Sequence, residues 1–446
     1  MFLHLLLILL LIAIFGTVEG KTCTNLTIPV QISARTGIFN IPTLASNLDA
    51  VAFSLNVTNI QGNFSQTSLL GYRTTTGEYN ISAKLCQPEK ANASTREVVQ
   101  FLTHGIGFDK TYWDLPFNNY NYSYIDVAVD QFGFSTLSID RLGIGNSSTG
   151  DALNTIQAQS ELSAIYEITK MLRQGTLPGT PESFKKVVHV GHSFGSALSY
   201  SLANQYPNET DGLILTGFSL NGTWLPATVA GWNSKIASLD QPLRFGNVSA
   251  QTLQYLSSKV GNNATYTAIT QIFKDLGLSY STLKQLATTS DILDFLAGAN
   301  STPPVVPANL PTGYLTWSDI TANLYAFLAP RYFDPAVLTY AETHKQPYTL
   351  GEVLTLPSVP ASAPEFKGPV QIVTGNQDAI YCGGDCFSTG VSDITSIPAA
   401  AKKSFPHASV FETLIQPNTG HALNIHYNST AAFVAIQKFV KAHVCA

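Results

Sequence analysis

Lys186-Val187-Val188-His189-Val190-Gly191-His192-Ser193-Phe194-Gly195, continuing into Ser196-Ala197-Leu198-Ser199-Tyr200-Ser201-Leu202-Ala203-Asn204-Gln205, reads as an apolar strand, a turn bracketed by two glycines, and a helix. Gly-X-Ser-X-Gly by itself recurs by chance in a chain this rich in glycine and serine. Its placement carries the weight: the motif directly follows the strand and directly precedes a helix that begins near Ser196 and carries Ala197, Leu198, Leu202 and Ala203. A Cβ at Gly191 or Gly195 would crowd the neighbouring strand and helix, so both glycines permit a tight turn. Ser193 then projects above the C-terminal edge of a sheet, at the positive end of a helix. It is the candidate nucleophile.

The surrounding chain supplies the sheet. Val98–Leu102 is a short buried strand running into Thr103-His104-Gly105-Ile106-Gly107, and Phe134–Ile139 is another, ending at Asp140-Arg141-Leu142-Gly143-Ile144-Gly145. Gln157 to Leu172 has helical spacing at Leu162, Ile165, Ile168 and Leu172, and Asp211-Gly212 leads into the strand Leu213–Thr216. The alternation predicts an α/β protein with a mostly parallel central sheet and helices on both faces. It breaks off near Gly222 and resumes near Gly368 with Val370–Val373 and Phe411–Ile415. The intervening text is aromatic and reads as helices at Leu253–Lys259, Ala268–Leu276, Ser290–Leu296, Ser318–Leu328 and Asp334–His344. Because strands resume after it, this is a mainly helical cap insertion rather than an independent domain. Upstream, Ala52–Val57 and Tyr79–Leu85 alternate as half-buried strands. The expected organisation is residues 1–20 signal peptide, 21–95 β-rich extension, 96–221 first half of the core, 222–366 cap, and 367–446 second half.

A serine hydroxyl needs a base to take its proton, and the base needs an orienting carboxylate. Asp378 lies in the turn after strand Val370–Val373, and His421 in Thr419-Gly420-His421, after the last strand and before a helix around Ala431–Val444. Both reach the edge that carries Ser193, in the chain order serine, acid, histidine. Asp385, His407, His426, His189 and His192 are rivals. A Cys382–Cys386 loop takes Asp385 from the strand end, His407 precedes the last strand, and His426 suits a structural or substrate-side group. His189 and His192 adjoin Ser193, but flanking residues point away from its proton. Fixed N–H donors for an oxyanion are expected at Phe194 and at Ile106, on the loop headed by His104-Gly105. That loop lacks the Lys and Ser/Thr spacing of a phosphate cradle, Asp140–Gly145 lacks the glycines of a dinucleotide fingerprint, and no cofactor or metal is implied.

Thr103-His104-Gly105-Ile106-Gly107-Phe108-Asp109, Tyr112-Trp113-Asp114, Asp140-Arg141-Leu142-Gly143-Ile144-Gly145, Gly191-His192-Ser193-Phe194-Gly195 and Gly420-His421 together resemble the α/β-hydrolase superfamily, and most its secreted fungal, lid-bearing members. The resemblance covers about Glu97–Gly222 and Gly368 to the end. It implies that His104-Gly105 heads the oxyanion loop and that Asp378 and His421 complete a triad with Ser193. Serine at 193 speaks against the dehalogenases and epoxide hydrolases of this fold, whose nucleophile is aspartate. The implied activity is hydrolysis of a carboxylic ester or lactone, with a lipase, peptidase or acyltransferase on the same triad as alternatives. A non-catalytic binding protein on the same scaffold is the alternative of another class. The expected partner is a small-molecule or lipid-like ester, met by cap aromatics among Trp224, Trp232, Tyr314, Trp317, Phe327 and Tyr332, most of which are expected to pack cap onto core.

Leu5–Phe15 is an apolar run too short to span a bilayer comfortably, ending in Gly16-Thr17-Val18-Glu19-Gly20. It reads as a signal peptide, the alternative being an uncleaved anchor. Asn-X-Ser/Thr triplets begin at Asn25, Asn56, Asn63, Asn80, Asn92, Asn121, Asn146, Asn208, Asn221, Asn247, Asn263, Asn300 and Asn428, which fits a glycosylated, secreted chain. In an oxidising compartment Cys382 is expected to pair with Cys386, and Cys23 with Cys86, leaving Cys445. A net charge of −5 without a basic run points to neither nucleic acid nor an anionic membrane, and no stable membrane anchor is expected once the signal is removed.

Overall fold

The computed structural model describes residues 20–89, 94–180, 182–246 and 308–445. The signal-peptide reading, the three helices expected between Leu253 and Leu296, and Asn92, Asn247, Asn263 and Asn300 lie outside them. Eleven strands are described: β1 Thr22–Phe39, β2 Leu69–Gln87, β3 Val98–Thr103, β4 Ser135–Ile139, β5 Lys186–His192, β6 Gly212–Thr216, β7 Lys235–Ile236, β8 Tyr314–Thr316, β9 Tyr348–Thr349, β10 Val370–Gly375 and β11 Phe411–Gln416. Eight form one sheet in the order β1-β2-β4-β3-β5-β6-β10-β11. β2 runs antiparallel to both its neighbours, and every pair from β4 to β11 is parallel.

β3, β4, β6 and β10 are buried at every position, as strands covered on two faces must be. Adjacent residues of β3 show the two layers. Gln100 bonds Gln437 of the helix Ser429–His443. Phe101, pointing the other way, packs on His189, whose Nε2–H donates to Thr169 of the helix Ala158–Gln174. This is an α/β-hydrolase fold, and Ser193 lies at the edge formed by the C-terminal ends of the parallel strands.

The segment expected to be a β-rich extension belongs to this sheet. β1 and β2 pair along almost their whole length, but β2 meets β4 only through Ala83–Cys86. Because β2 is antiparallel, its residues before Ala83 run past the C-terminal end of β4. Ala52–Val57, expected as strand, is instead part of the helix Asn47–Thr58, started by a reciprocal Ser46–Asp49 capping box. Its short alternating pattern cannot be told from a helical one when only Ala50, Phe53 and Ser54 are buried. This helix docks on the helix Leu225–Trp232, and Asn47 Oδ1 accepts the Ile236 amide.

Between β6 and β10 the described chain holds the helices Ile320–Phe327 and Pro335–Thr343, as the spacing predicts, and the small antiparallel sheet β7-β8-β9, which it does not. Strands of two or three residues leave no period to read. Disulfides join Cys23 to Cys86, facing each other across β1 and β2, and Cys382 to Cys386, while Cys445 is a free thiol. Asn25, Asn56, Asn63, Asn80, Asn121, Asn146 and Asn208 are exposed, and Asn221 and Asn428 half-buried. Among the described residues no helix is long and apolar enough to cross a membrane.

Candidate active site

Ser193 directly follows β5, and its φ of 54° and ψ of −117° are values no helix or strand would use. A side chain in this region is strained, by about 1–3 kcal/mol, and stays there only when its surroundings leave no alternative. Here they do so by contact. The Ser193 amide donates to the Thr216 carbonyl of β6 at 2.9 Å, and the Ser193 carbonyl accepts from Ala197 at 3.0 Å to begin the helix Phe194–Gln205. A Cβ on Gly191 would lie 2.4 Å from Ser196 N, and one on Gly195 2.1 Å from the Thr103 carbonyl oxygen. Gly105 backs onto the turn so closely that a Cβ there would sit 2.9 Å from the Ser193 Cβ.

Asp378 follows β10 and caps the short helix Ala379–Cys382, its Oδ1 accepting the Ile380 and Tyr381 amides at 2.9 Å each. Its Oδ2 accepts from the Thr374 hydroxyl at 2.7 Å and from His421 Nδ1 at 2.9 Å. Burial alone would raise the pKa of this carboxyl. The His421 ring and the hydrogen bonds outweigh burial and hold it below its ordinary value. A charged Asp378 keeps a proton on His421 Nδ1, so Nε2 carries the lone pair. That Nε2 is buried and has no hydrogen-bond partner among the described residues. Ser193 Oγ is not hydrogen-bonded to it, a looseness that apo sites often show.

Among the described residues the Phe194 and Ile106 amides donate no hydrogen bond. The first is the orphan amide that every helix start leaves. His104 does not face the serine. Its Nδ1–H donates to the Gly105 carbonyl at 2.8 Å and its Nε2 accepts the Arg141 amide at 3.0 Å, which fixes the loop carrying Ile106.

The rivals separate cleanly. Asp385 is exposed and caps Phe387, and His189 lies under the sheet against Thr169. His426 is buried with both ring nitrogens hydrogen-bonded to backbone. His192 departs from expectation: its ring lies 5.0 Å from that of His421 and stacks on Tyr112 at 4.3 Å. Thr216 Oγ1 donates to the Gly191 carbonyl and so accepts His192 Nδ1–H, at 3.2 Å. Burial, with His421 next, depresses the pKa of His192 well below normal, so it forms a neutral floor beside the site.

One feature of the site is not legible in the sequence. The Arg141 guanidinium, wholly buried, bonds Glu161 at 2.5 Å and Glu352, and lies 4.8 Å over the Phe194 ring. It thereby ties the β6–β10 segment to the residue beside Ser193. Its trace in the sequence is a charged residue inside the Asp140–Gly145 motif. Over the strand ends lies an aromatic layer built from three of the expected cap aromatics, Trp232, Trp317 and Phe327, joined by Phe108. Phe327 packs on His421 at 5.9 Å, Trp317 on Phe327 at 5.0 Å, and Phe108 on Phe327 at 5.2 Å, with Trp232 beyond. Trp317 fits against Gly107 with no room for a Cβ. The other aromatics named for this region lie elsewhere: Trp224 against Gly383, Tyr314 with its hydroxyl on Gly150, and Tyr332 at the surface. Ser193 is 9% exposed and His421 0%, and Phe327 is the ring of this layer that packs on His421.

The chain matches no protein-family model and no curated protein sequence. Among solved structures it is similar to a thermophilic esterase from Thermogutta terrifontis, at 14% identity and a TM-score of 0.42, covering 82% of this chain and 94% of that one. It is similar to an epoxide hydrolase from Vigna radiata, at 15% identity and a TM-score of 0.41 over 81% and 95% of the two chains. A proline iminopeptidase from Mycobacterium smegmatis follows, at 13% identity and 0.39 over 82% and 95%. Likenesses this distant assign neither a reaction nor a substrate.

Proposed function

We propose that the chain is a secreted serine hydrolase that cleaves a carboxylic ester or lactone through an acyl-enzyme on Ser193. The observation that carries this reading is the buried, partnerless Nε2 of His421, held by Asp378 on the edge where the strained Ser193 turn ends β5. In the proposed reaction His421 Nε2 takes the Ser193 hydroxyl proton as Oγ attacks the carbonyl carbon. The Phe194 and Ile106 amides hold the oxyanion, and His421 returns the proton to the leaving alkoxide. Water then repeats the sequence on the acyl-enzyme and frees the acid. Asp378 keeps the imidazole in the productive tautomer. The segment 222–366 acts as the cap, and its layer of Trp232, Trp317 and Phe327 favours a substrate with an apolar or aromatic acyl group. The two disulfides and the exposed sequons support export.

A fluorophosphonate probe tests the reading. The mature protein is expected to label and to hydrolyse p-nitrophenyl esters, and Ser193→Ala to do neither. Labelling that survives Ser193→Ala, or a wild-type protein that never labels, would sink it.

A further inference from the structure

His426, five residues after His421, is fully buried, and its two nitrogens have distinct tasks. Nδ1 faces the Ala422 carbonyl at 2.9 Å, and since a carbonyl only accepts, the proton sits on Nδ1. Nε2 therefore presents its lone pair, and two backbone amides converge on it: Gly420 at 3.0 Å and Ala329 at 3.0 Å. Gly420 immediately precedes His421. Ala329 belongs to the β6–β10 segment, two residues beyond Phe327, whose ring covers His421. The Ala422 amide in turn donates to the Phe327 carbonyl at 2.9 Å. His421 is thus flanked on both sides by residues tied to 327–329. The approach is close enough that a Cβ on Gly420 would lie 2.7 Å from Ala329 N.

We propose that His426 is a positioning residue whose Nε2, as shared acceptor for the Gly420 and Ala329 amides, holds the His421 loop and its aromatic cover in one fixed arrangement. The inference rests on His421 being the base. Without the acceptor, two buried amides lose their partner, the loop relaxes, and the His421 imidazole is no longer presented to Ser193. The cover then has a fixed point at 327–329.

The test uses the full-length secreted protein with a p-nitrophenyl ester. His426→Leu removes the acceptor at similar bulk. His426→Gln places an amide oxygen near the former Nε2. For Leu, kcat is expected to fall about 10- to 100-fold, the cost of leaving buried donors unpaired, with KM within about threefold. Gln is expected to recover most of that loss. A Leu variant that melts earlier yet keeps its kcat, or a Gln variant no better than Leu, overturns the proposal. Should Leu fail to fold, ring-nitrogen NMR of histidine-labelled wild-type protein decides. A proton on Nδ1 and a hydrogen-bonded bare Nε2 at His426 support the assignment, and the opposite tautomer overturns it. Failure of the underlying reading looks different: wild-type Ser193 would not label, or His421→Ala would remain active.

Discussion

The turn that carries Ser193 and the loop that carries His421 meet at one edge of the sheet, yet they are held by different physics. The turn is held by exclusion. Gly191, Gly195 and Gly105 let backbone approach backbone to distances no Cβ allows, and the strained serine has nowhere else to go. The loop is held by acceptors. Asp378 takes four donors, and His426 takes the amides of Gly420 and Ala329. A sterically held group tolerates changes of charge and fails when volume is added. A group held by hydrogen bonds fails when an acceptor is lost or protonated, and on the loop Gly420 adds the turn's intolerance of volume, since a Cβ there would meet Ala329 N at 2.7 Å.

The largest expected effect sits on the loop. Asp378→Asn keeps the shape but no longer fixes the imidazole tautomer, and kcat is expected to fall about 10⁴-fold with KM little changed. Circular dichroism should be unaltered. A fall under tenfold in steady-state kinetics would mean that another group orients His421. On the turn, Gly191→Ala is expected to destabilise by about 3 kcal/mol or more, because the new methyl meets rigid backbone at Gly195 and Ser196 rather than a yielding side chain. Urea unfolding measures it. A variant of wild-type stability that still labels with fluorophosphonate would show that the turn is not held by exclusion.

This difference also explains what was legible beforehand. Exclusion leaves a sequence signature, because only glycine fits, and glycines at fixed offsets from an apolar strand point to the turn. The parallel strands were readable for a related reason, since burial on two faces makes Val98–Thr103 and Leu213–Thr216 mostly apolar runs, the buried exception Gln100 being paired with Gln437. Acceptors leave almost no trace. His426 is one histidine among several, and its partners are main-chain amides that carry no residue identity. Arg141, Glu161 and Glu352 are likewise scattered through the chain and converge only after folding. The helix Asn47–Thr58 went unread because its buried face is decided by the segment it docks on, not by its own pattern.

Acid separates the two regions most gently. Burial lowers the pKa of His426 to about 4, against about 6.5 for an unfolded histidine. The folded protein therefore refuses a proton that the unfolded chain accepts. The neutral ring's stabilisation is fully present above about pH 6.5 and is lost progressively as pH falls to about 4, a contribution of about 3 kcal/mol. Asp378, whose pKa is lowered, adds a loss of the same sign at still lower pH. His104 and His192, both depressed by burial, move global stability in the same direction, so a melting curve alone does not distinguish the regions. Amide exchange does. Gly420 and Ala329 donate to an imidazole that protonation turns from acceptor into donor, whereas Ser193 donates to the Thr216 carbonyl, which does not titrate in this range. Between pH 6.5 and 4 the protection factors of Gly420 and Ala329 are expected to fall ahead of that of Ser193. Equal protection at all three amides across that interval would mean that turn and loop open as one unit, and the contrast between them would then describe how each is built but not how each fails.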